Sequence, residues 1–177
     1  MPRIVGLVKE MLGLVSGLIL DVACGPGTYG RRLADPSRMI YGIDVSQGML
    51  EQGMVFAQRE QVMNIAFARA KVENLPFGDR VFDGAVCSGS LHLFPDAGLA
   101  LREIRRTLKP GAPLAIITFT PGKTGLLRFR RFRERAGKKG LRVFQVAELA
   151  EILALAGFSD VSPTTFGSGL ACRAIRC

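Results

Sequence analysis

Residues 18–30 read LILDVACGPGTYG, and this stretch limits what the chain can fold into more than any other. Leu18-Ile19-Leu20 is a short apolar run that ends at Asp21. A continuous run of that kind, bounded by turn residues, is the pattern of a strand buried on both faces. Gly25, Gly27 and Gly30 follow at once, and a helix start is expected at Thr28. Strand, glycine turn and helix together bring bare backbone up to a ligand, because glycine has no Cβ to hold it off. The new helix would also direct its free N–H groups into that space.

The three glycines have the spacing G-x-G-x-x-G used by dinucleotide-binding proteins, a pattern that does not by itself decide the ligand. The size and composition of the chain narrow the choice. Its 177 residues fit a single domain, large enough to bury roughly 70% of the unfolded surface. No run approaches the about 18 apolar residues of a membrane span. Met11 to Leu20 is apolar behind Arg3 and Lys9, but Glu10 and Asp21 break the pattern of a secretion signal, so a cytoplasmic protein is expected. Cys24, Cys87, Cys172 and Cys177 lack metal-ligand spacing and His92 is the single histidine, which argues against a metal site. Free thiols suit a reducing compartment.

The net charge of +9 is local. Between Lys123 and Arg142 nine basic residues face Glu134 alone, while the rest of the chain carries fifteen positive and fourteen negative charges. Leu126, Leu127, Phe129 and Phe132 interleave with these charges. Residues 120–143 therefore read as a basic insertion. An anionic substrate, an anionic membrane surface and nucleic acid would each suit it, and so would a merely solvated cover.

In order, the pattern predicts a short helix within residues 1–17 and strands at Leu18–Asp21 and Met39–Ile43. A helix capped by Ser46 runs to Arg59, and strands follow at Asn64–Ala68 and Phe82–Cys87. An amphipathic helix covers Asp96–Leu108, stopped by Lys109-Pro110-Gly111, then a buried strand at Pro113–Phe119 and a helix at Gln145–Ala156. Two strands, Phe158–Thr165 and Leu170–Cys177, close the chain as a hairpin. The expected fold is α/β and Rossmann-like. Its mostly parallel seven-stranded sheet carries helices on both faces and a C-terminal antiparallel hairpin.

Four blocks in register carry a resemblance: DVACGPG, YGIDVSQGML, ENLPFGDRVFD and LHLFPDAGLALREIRRTLKPG. Together, over roughly Leu18 to Phe158, the chain resembles the class I S-adenosylmethionine-dependent methyltransferases. The likeness is to the small-molecule branch that includes ubiquinone and menaquinone biosynthesis enzymes. The last two blocks and the final hairpin are not expected of a dinucleotide dehydrogenase. The resemblance implies S-adenosylmethionine as cofactor. Gly25 and Gly27, with Ala23 and Cys24, would lie under its methionine and ribose, and Asp21 near its amino group. Asp44 would accept from both ribose hydroxyls, with Val45 and Met49 lining the adenine. There are four departures. Ala23 replaces a usual glycine with Pro26 in the loop, Gly111-Ala112 stands for a usual pair of glycines, a short segment precedes the first strand, and Lys71 stands where the family has an acid for the adenine amine. Backbone near Val72 and Glu73 would then take that role.

Methyl transfer is an in-line displacement, and a base is needed only when the acceptor carries a proton, worth about 10²–10⁴-fold. His92 follows the fourth strand at the carboxyl edge, where ligands sit in open α/β sheets. It is either the base or substrate contact, or a histidine that orients a loop. Cys87 and Ser88 would line the cavity. The expected partner is a small methyl acceptor such as a quinone or lipid precursor, with peripheral membrane contact and a homodimer both open. An RNA methyltransferase is disfavoured, because Cys87-Ser88-Gly89-Ser90 offers no aromatic to stack on a base. A domain that has lost catalysis is the remaining alternative.

Overall fold

The computed structural model describes residues 2–120 and 143–177. The basic segment from Lys123 to Arg142 lies outside the described residues. The elements follow in the order α1 (Pro2–Leu12), β1 (Gly17–Val22), α2 (Gly30–Leu33), β2 (Arg38–Asp44), α3 (Gln47–Arg59), β3 (Ile65–Arg69) and β4 (Gly84–Ser88). A 3₁₀ turn (Leu91–Leu93), α4 (Ala97–Thr107), β5 (Pro113–Phe119), α5 (Val146–Leu155), β6 (Phe158–Phe166) and β7 (Gly169–Arg176) complete them.

All seven strands form one sheet in the order β3-β2-β1-β4-β5-β7-β6. Pairing is parallel from β3 to β5, and β7 runs antiparallel to both β5 and β6. The expected hairpin is therefore present. Its second strand is the one inserted against β5.

Both faces are covered, which explains the continuous apolar runs. On one face Leu20, Val22, Ala85, Cys87, Leu114 and Ile116 pack with Leu101 and Ile104 of α4 and Leu149 and Leu153 of α5. On the other, Ile19, Ile40, Val86, Ala115 and Ile117 pack with Val8, Met11 and Leu12 of α1 and Leu33 of α2. A Cβ placed on Gly84 would lie 3.3 Å from Leu12, so the C-terminal end of α1 rests on the amino end of β4.

Local signals set the helix ends. Ser46 accepts from the N–H of Met49 and starts α3, Asp96 accepts from Leu99 and starts α4, and Gln145 with Glu148 forms a capping box on α5. The helix expected from Thr28 is shorter than its pattern suggests. It is one turn long, because the chain spends residues 23–29 in the glycine turn.

Phe67 of β3 organises the β2–α3 side. Cβ atoms placed on Gly27, Gly42 and Gly53 would lie 2.7, 3.1 and 2.9 Å from its ring. Those three glycines clear the space that one aromatic ring fills.

That packing sets opposite outcomes for two glycines of one helix. At Gly48 a Cβ meets nothing within 4 Å, so Gly48→Ala is expected to stabilise by about 0.5 kcal/mol through helix propensity. At Gly53 the same methyl strikes Phe67 and the Pro26 carbonyl carbon at 3.2 Å, and overpacking outweighs propensity. Gly53→Ala should destabilise by about 1–2 kcal/mol in urea unfolding, and adding Phe67→Leu should recover part of the loss.

Candidate functional site

The carboxyl ends of the parallel strands carry the expected residues. After β1 the chain turns through Ala23, Gly25 and Gly27, with φ of 50°, 54° and 68°. These are left-handed backbone angles that glycine adopts freely and that cost an alanine about 1–2 kcal/mol. The turn is tied to β2, since the Cys24 N–H donates to the Ile43 carbonyl at 2.9 Å. It is tied more firmly by Asp44, whose Oδ2 accepts from the Gly25 N–H at 2.8 Å and whose Oδ1 accepts from the Ser46 N–H at 2.9 Å. One carboxylate thus clamps the glycine turn to the start of α3 through two charge-assisted bonds. Each oxygen keeps a second lone pair for a ligand. Val45 and Met49 flank it with exposed apolar side chains.

The glycines divide by purpose. A Cβ on Gly25 would meet nothing within 4 Å, so this position opens onto free space. On Gly27 it would strike Phe67, so the side-chain room there belongs to the core. On Gly30 it would come within 3.0 Å of Asp21 Oδ2. Asp21 lies behind the turn, 2% exposed, and its Oδ2 accepts from the Gly30 N–H at 3.0 Å. The N–H expected to face a ligand from the new helix is therefore committed inward. Burial, opposed by that bond and reinforced by the Asp44 charge, pushes the Asp21 carboxyl up to about 7.

The two cysteines expected at the site do not face it. Cys24 is buried, its Sγ 3.4 Å from the Gly25 carbonyl oxygen and close to Gly42, and burial pushes its thiol up. Only its backbone borders the turn. Cys87 is fully buried beneath α4, its Sγ sharing a hydrogen with Ser90 Oγ at 3.3 Å, and its thiol is pushed up to about 12 by burial. A buried thiol of that kind is inert. Strand alternation aims Cys87 at the core and its neighbour Ser88 at the opposite face. The apolar run around them shows no such alternation in sequence.

Residues 70–74 are seated beside Asp44, with the Ala70 N–H donating to the Asp44 carbonyl at 3.1 Å. Lys71 is exposed in the turn that Asn74 closes, Val72 sends its side chain into the core and Glu73 is half-buried. At the end of β4, Gly89 turns with φ of 73° and the 3₁₀ turn carries His92 across to β5. The His92 ring meets Phe119 edge-on, 4.9 Å between centroids, and burial holds its pKa below the ordinary histidine value. Phe119 and Leu93 are both substantially exposed there. The sequence presented Phe119 only as the end of a strand. The signal was its phase, since it continues the Ala115–Ile117 face.

Among the described residues no cluster of three metal-ligating side chains occurs, and no helix is long and apolar enough to cross a membrane.

The methyltransferase domain family matches residues 19–111, more than half of the chain, and the chain belongs to that family. It is 38% identical over 104 residues to the 2-phytyl-1,4-naphtoquinone methyltransferase of Nostoc punctiforme, an overlap of 56% of this chain and 45% of that one. It is 31% identical over 115 residues to the demethylmenaquinone methyltransferase of a Geobacillus species, covering 63% and 48%. The chain thus spans about half the length of the curated relatives it matches. Its fold is similar to that of the YcgJ protein from Bacillus subtilis, with a TM-score of 0.82 at 19% identity over 99% of both chains. The Rossmann-like methyltransferase fold accounts for the glycine spacing, and the dinucleotide-binding alternative falls away.

The Asp21 carboxyl has a pH signature. Its folded pKa of about 7 lies above the ordinary 3.8, so the folded state holds the proton more tightly than the unfolded one. The stability tied to that proton is complete below pH 3.8 and is lost as pH rises through about 7. Asp21→Asn keeps an acceptor for Gly30 and cannot ionise. Thermal melts from pH 4 to 9 should show the variant gaining on the parent protein across this window, by a few kcal/mol at most at the alkaline end.

Proposed function

We propose that this chain is an S-adenosylmethionine-dependent methyltransferase that acts on a small oxygen-bearing acceptor of the quinone type. The observation that carries the reading is the Asp44 clamp. In a chain of the methyltransferase family, it places a carboxylate with free lone pairs at the end of β2, against an open glycine turn. The residues fit the cofactor. Asp44 would accept from the ribose hydroxyls, and Val45 and Met49 would pack on the adenine. Backbone at Val72 and Glu73 would meet the adenine edge, since Lys71 has no acceptor to offer. Backbone at Ala23, Cys24, Gly25 and Gly27 would lie under the methionine and ribose, with Asp21 nearest the amino group. The bound cofactor supplies an electrophilic methyl group and its own leaving group.

His92 would take a proton from the acceptor at Nδ1. It suits the task because burial keeps it neutral at ordinary pH. The names of the two quinone methyltransferases above support the acceptor class. Four unpaired cysteines support a reducing cytoplasm. The RNA reading has no stacking aromatic in the β4 turn to support it.

Calorimetric titration with S-adenosylmethionine and S-adenosylhomocysteine tests the cofactor site. The parent protein should bind both, and Asp44→Ala should lose at least tenfold in affinity while remaining folded. A folded parent protein that binds neither would overturn the reading. In turnover with a protic acceptor, His92→Gln should lower kcat by about 10²-fold or more with cofactor affinity retained. The acid limb of the parent pH profile should fall below 6.5.

A further inference from the structure

Four buried side-chain polar atoms lack a hydrogen-bond partner among the described residues: Ser88 Oγ, His92 Nδ1, Thr118 Oγ1 and Arg176 Nε. Arg176 belongs to the amino edge of the sheet, beside Gly111. Thr118 follows the phase of Leu114 and Ile116 and points toward the α4–α5 face. Ser88 and His92 remain, and they share one neighbourhood.

Ser88 is the last residue of β4. Its phase is that of Val86, on the α1 face, and its register partner on β5 is Ile117 on the same face. On its other side Cys87, the residue before it, makes the last ladder pair with Val22 of β1, and the glycine turn begins at the next residue, Ala23. Phe119, one alternation beyond Ile117, carries the edge of the His92 ring. Ser88 and His92 thus stand at the carboxyl edge between the glycine turn and an exposed aromatic ring.

Their lack of partners is specific. Ser90, between them in sequence, satisfies its hydroxyl with Cys87 Sγ at 3.3 Å and the Val22 carbonyl at 3.5 Å. Buried polar groups are almost always bonded, and one left open at a strand edge calls for a partner from outside the chain, a water, an ion or a ligand.

We infer that Ser88 Oγ and His92 Nδ1 form a two-point hydrogen-bond clamp for the hydroxyl of a flat, uncharged acceptor, with Phe119 as the apolar wall beside it. The chemistry of the pair selects the ligand. A neutral imidazole nitrogen accepts and a serine hydroxyl donates, so an oxygen that itself donates and accepts, as a phenol or hydroquinone does, satisfies both. A carboxylate or phosphate would meet an acceptor at Nδ1 with no cation in the pair to hold it. Ser88 is a positioning residue here, not a base. The inference rests on the methyl-transfer reading for its biological sense, but the clamp can be tested apart from it.

The protein has one histidine, so ¹⁵N-histidine labelling reports on His92 alone. The probes are 1-naphthol and, as the anionic control, 1-naphthoate, each titrated with and without S-adenosylhomocysteine. Naphthol should shift the His92 ring nitrogen signals and naphthoate should not. Ser88→Ala should weaken naphthol binding at least tenfold, Ser88→Thr should restore most of it, and calorimetric binding of S-adenosylhomocysteine should stay within twofold throughout. Ser88→Ala should also melt at or above the temperature of the parent protein, because it removes an unpaired buried hydroxyl. Unmoved His92 signals, or equal naphthol affinity in Ser88→Ala, would overturn the clamp. Loss of S-adenosylhomocysteine binding by the parent protein would count against the methyltransferase reading, and the naphthol shifts would still decide the clamp.

Discussion

The ring of Phe67 fixes the geometry on which the site depends. It reaches from β3 across Gly42 of β2 and fills the space left by Gly27 in the turn and Gly53 in α3. A smaller side chain at Phe67 would let the turn sink toward the sheet, and any Cβ on those glycines would push it out. The height of the turn determines whether the Gly25 N–H meets Asp44 Oδ2 at 2.8 Å. Binding geometry at the surface is thus set by close packing beneath it, where small volume changes are felt directly. The Asp44 clamp then joins β1, β2 and α3 at one carboxylate. Strand ends that would otherwise be independent loops are tied together by it.

Much of this was legible in the sequence. Ser46 and Arg59 delimit α3 as the capping rule and the apolar spacing imply, and Pro113–Phe119 is a strand as its run of apolar residues implies. What the sequence hid has a common physical origin. A strand buried on both faces is apolar throughout, so its phase is invisible, and Cys87 could not be told from Ser88 by pattern. The glycine turn misled in a similar way. Gly25, Gly27 and Gly30 look alike in a motif, yet one opens onto free space, one yields to Phe67 and one yields to Asp21. The placement of β7 beside β5 was equally hidden, because a hairpin pattern gives pairing between its own strands and not the neighbour outside it.

The carboxyl edge is divided between two apolar patches. Val45 and Met49 lie beside Asp44, and Leu93 and Phe119 lie beside His92. Exposed apolar side chains lose water favourably to a flat ligand. The two patches are separated by β1 and β4, whose last ladder pair is Val22 with Cys87. Under the proposed methyl transfer, each of two ligands would pack on its own patch, and the reacting atoms would meet over the middle strands. Alignment of two reactants can remove about 7–11 kcal/mol of a barrier.

Asp21 adds a consequence in the currency of protons. Burial raises the Asp21 carboxyl well above the ordinary carboxylate range, so the folded chain divides between a protonated and an ionised population at a higher pH than the unfolded one. A cation brought to that carboxyl would favour the ionised population, and the displaced proton would pass to the buffer. The heat of binding would then contain the ionisation heat of whichever buffer receives it. Titrations in phosphate and in Tris would disagree by an amount that counts the protons released.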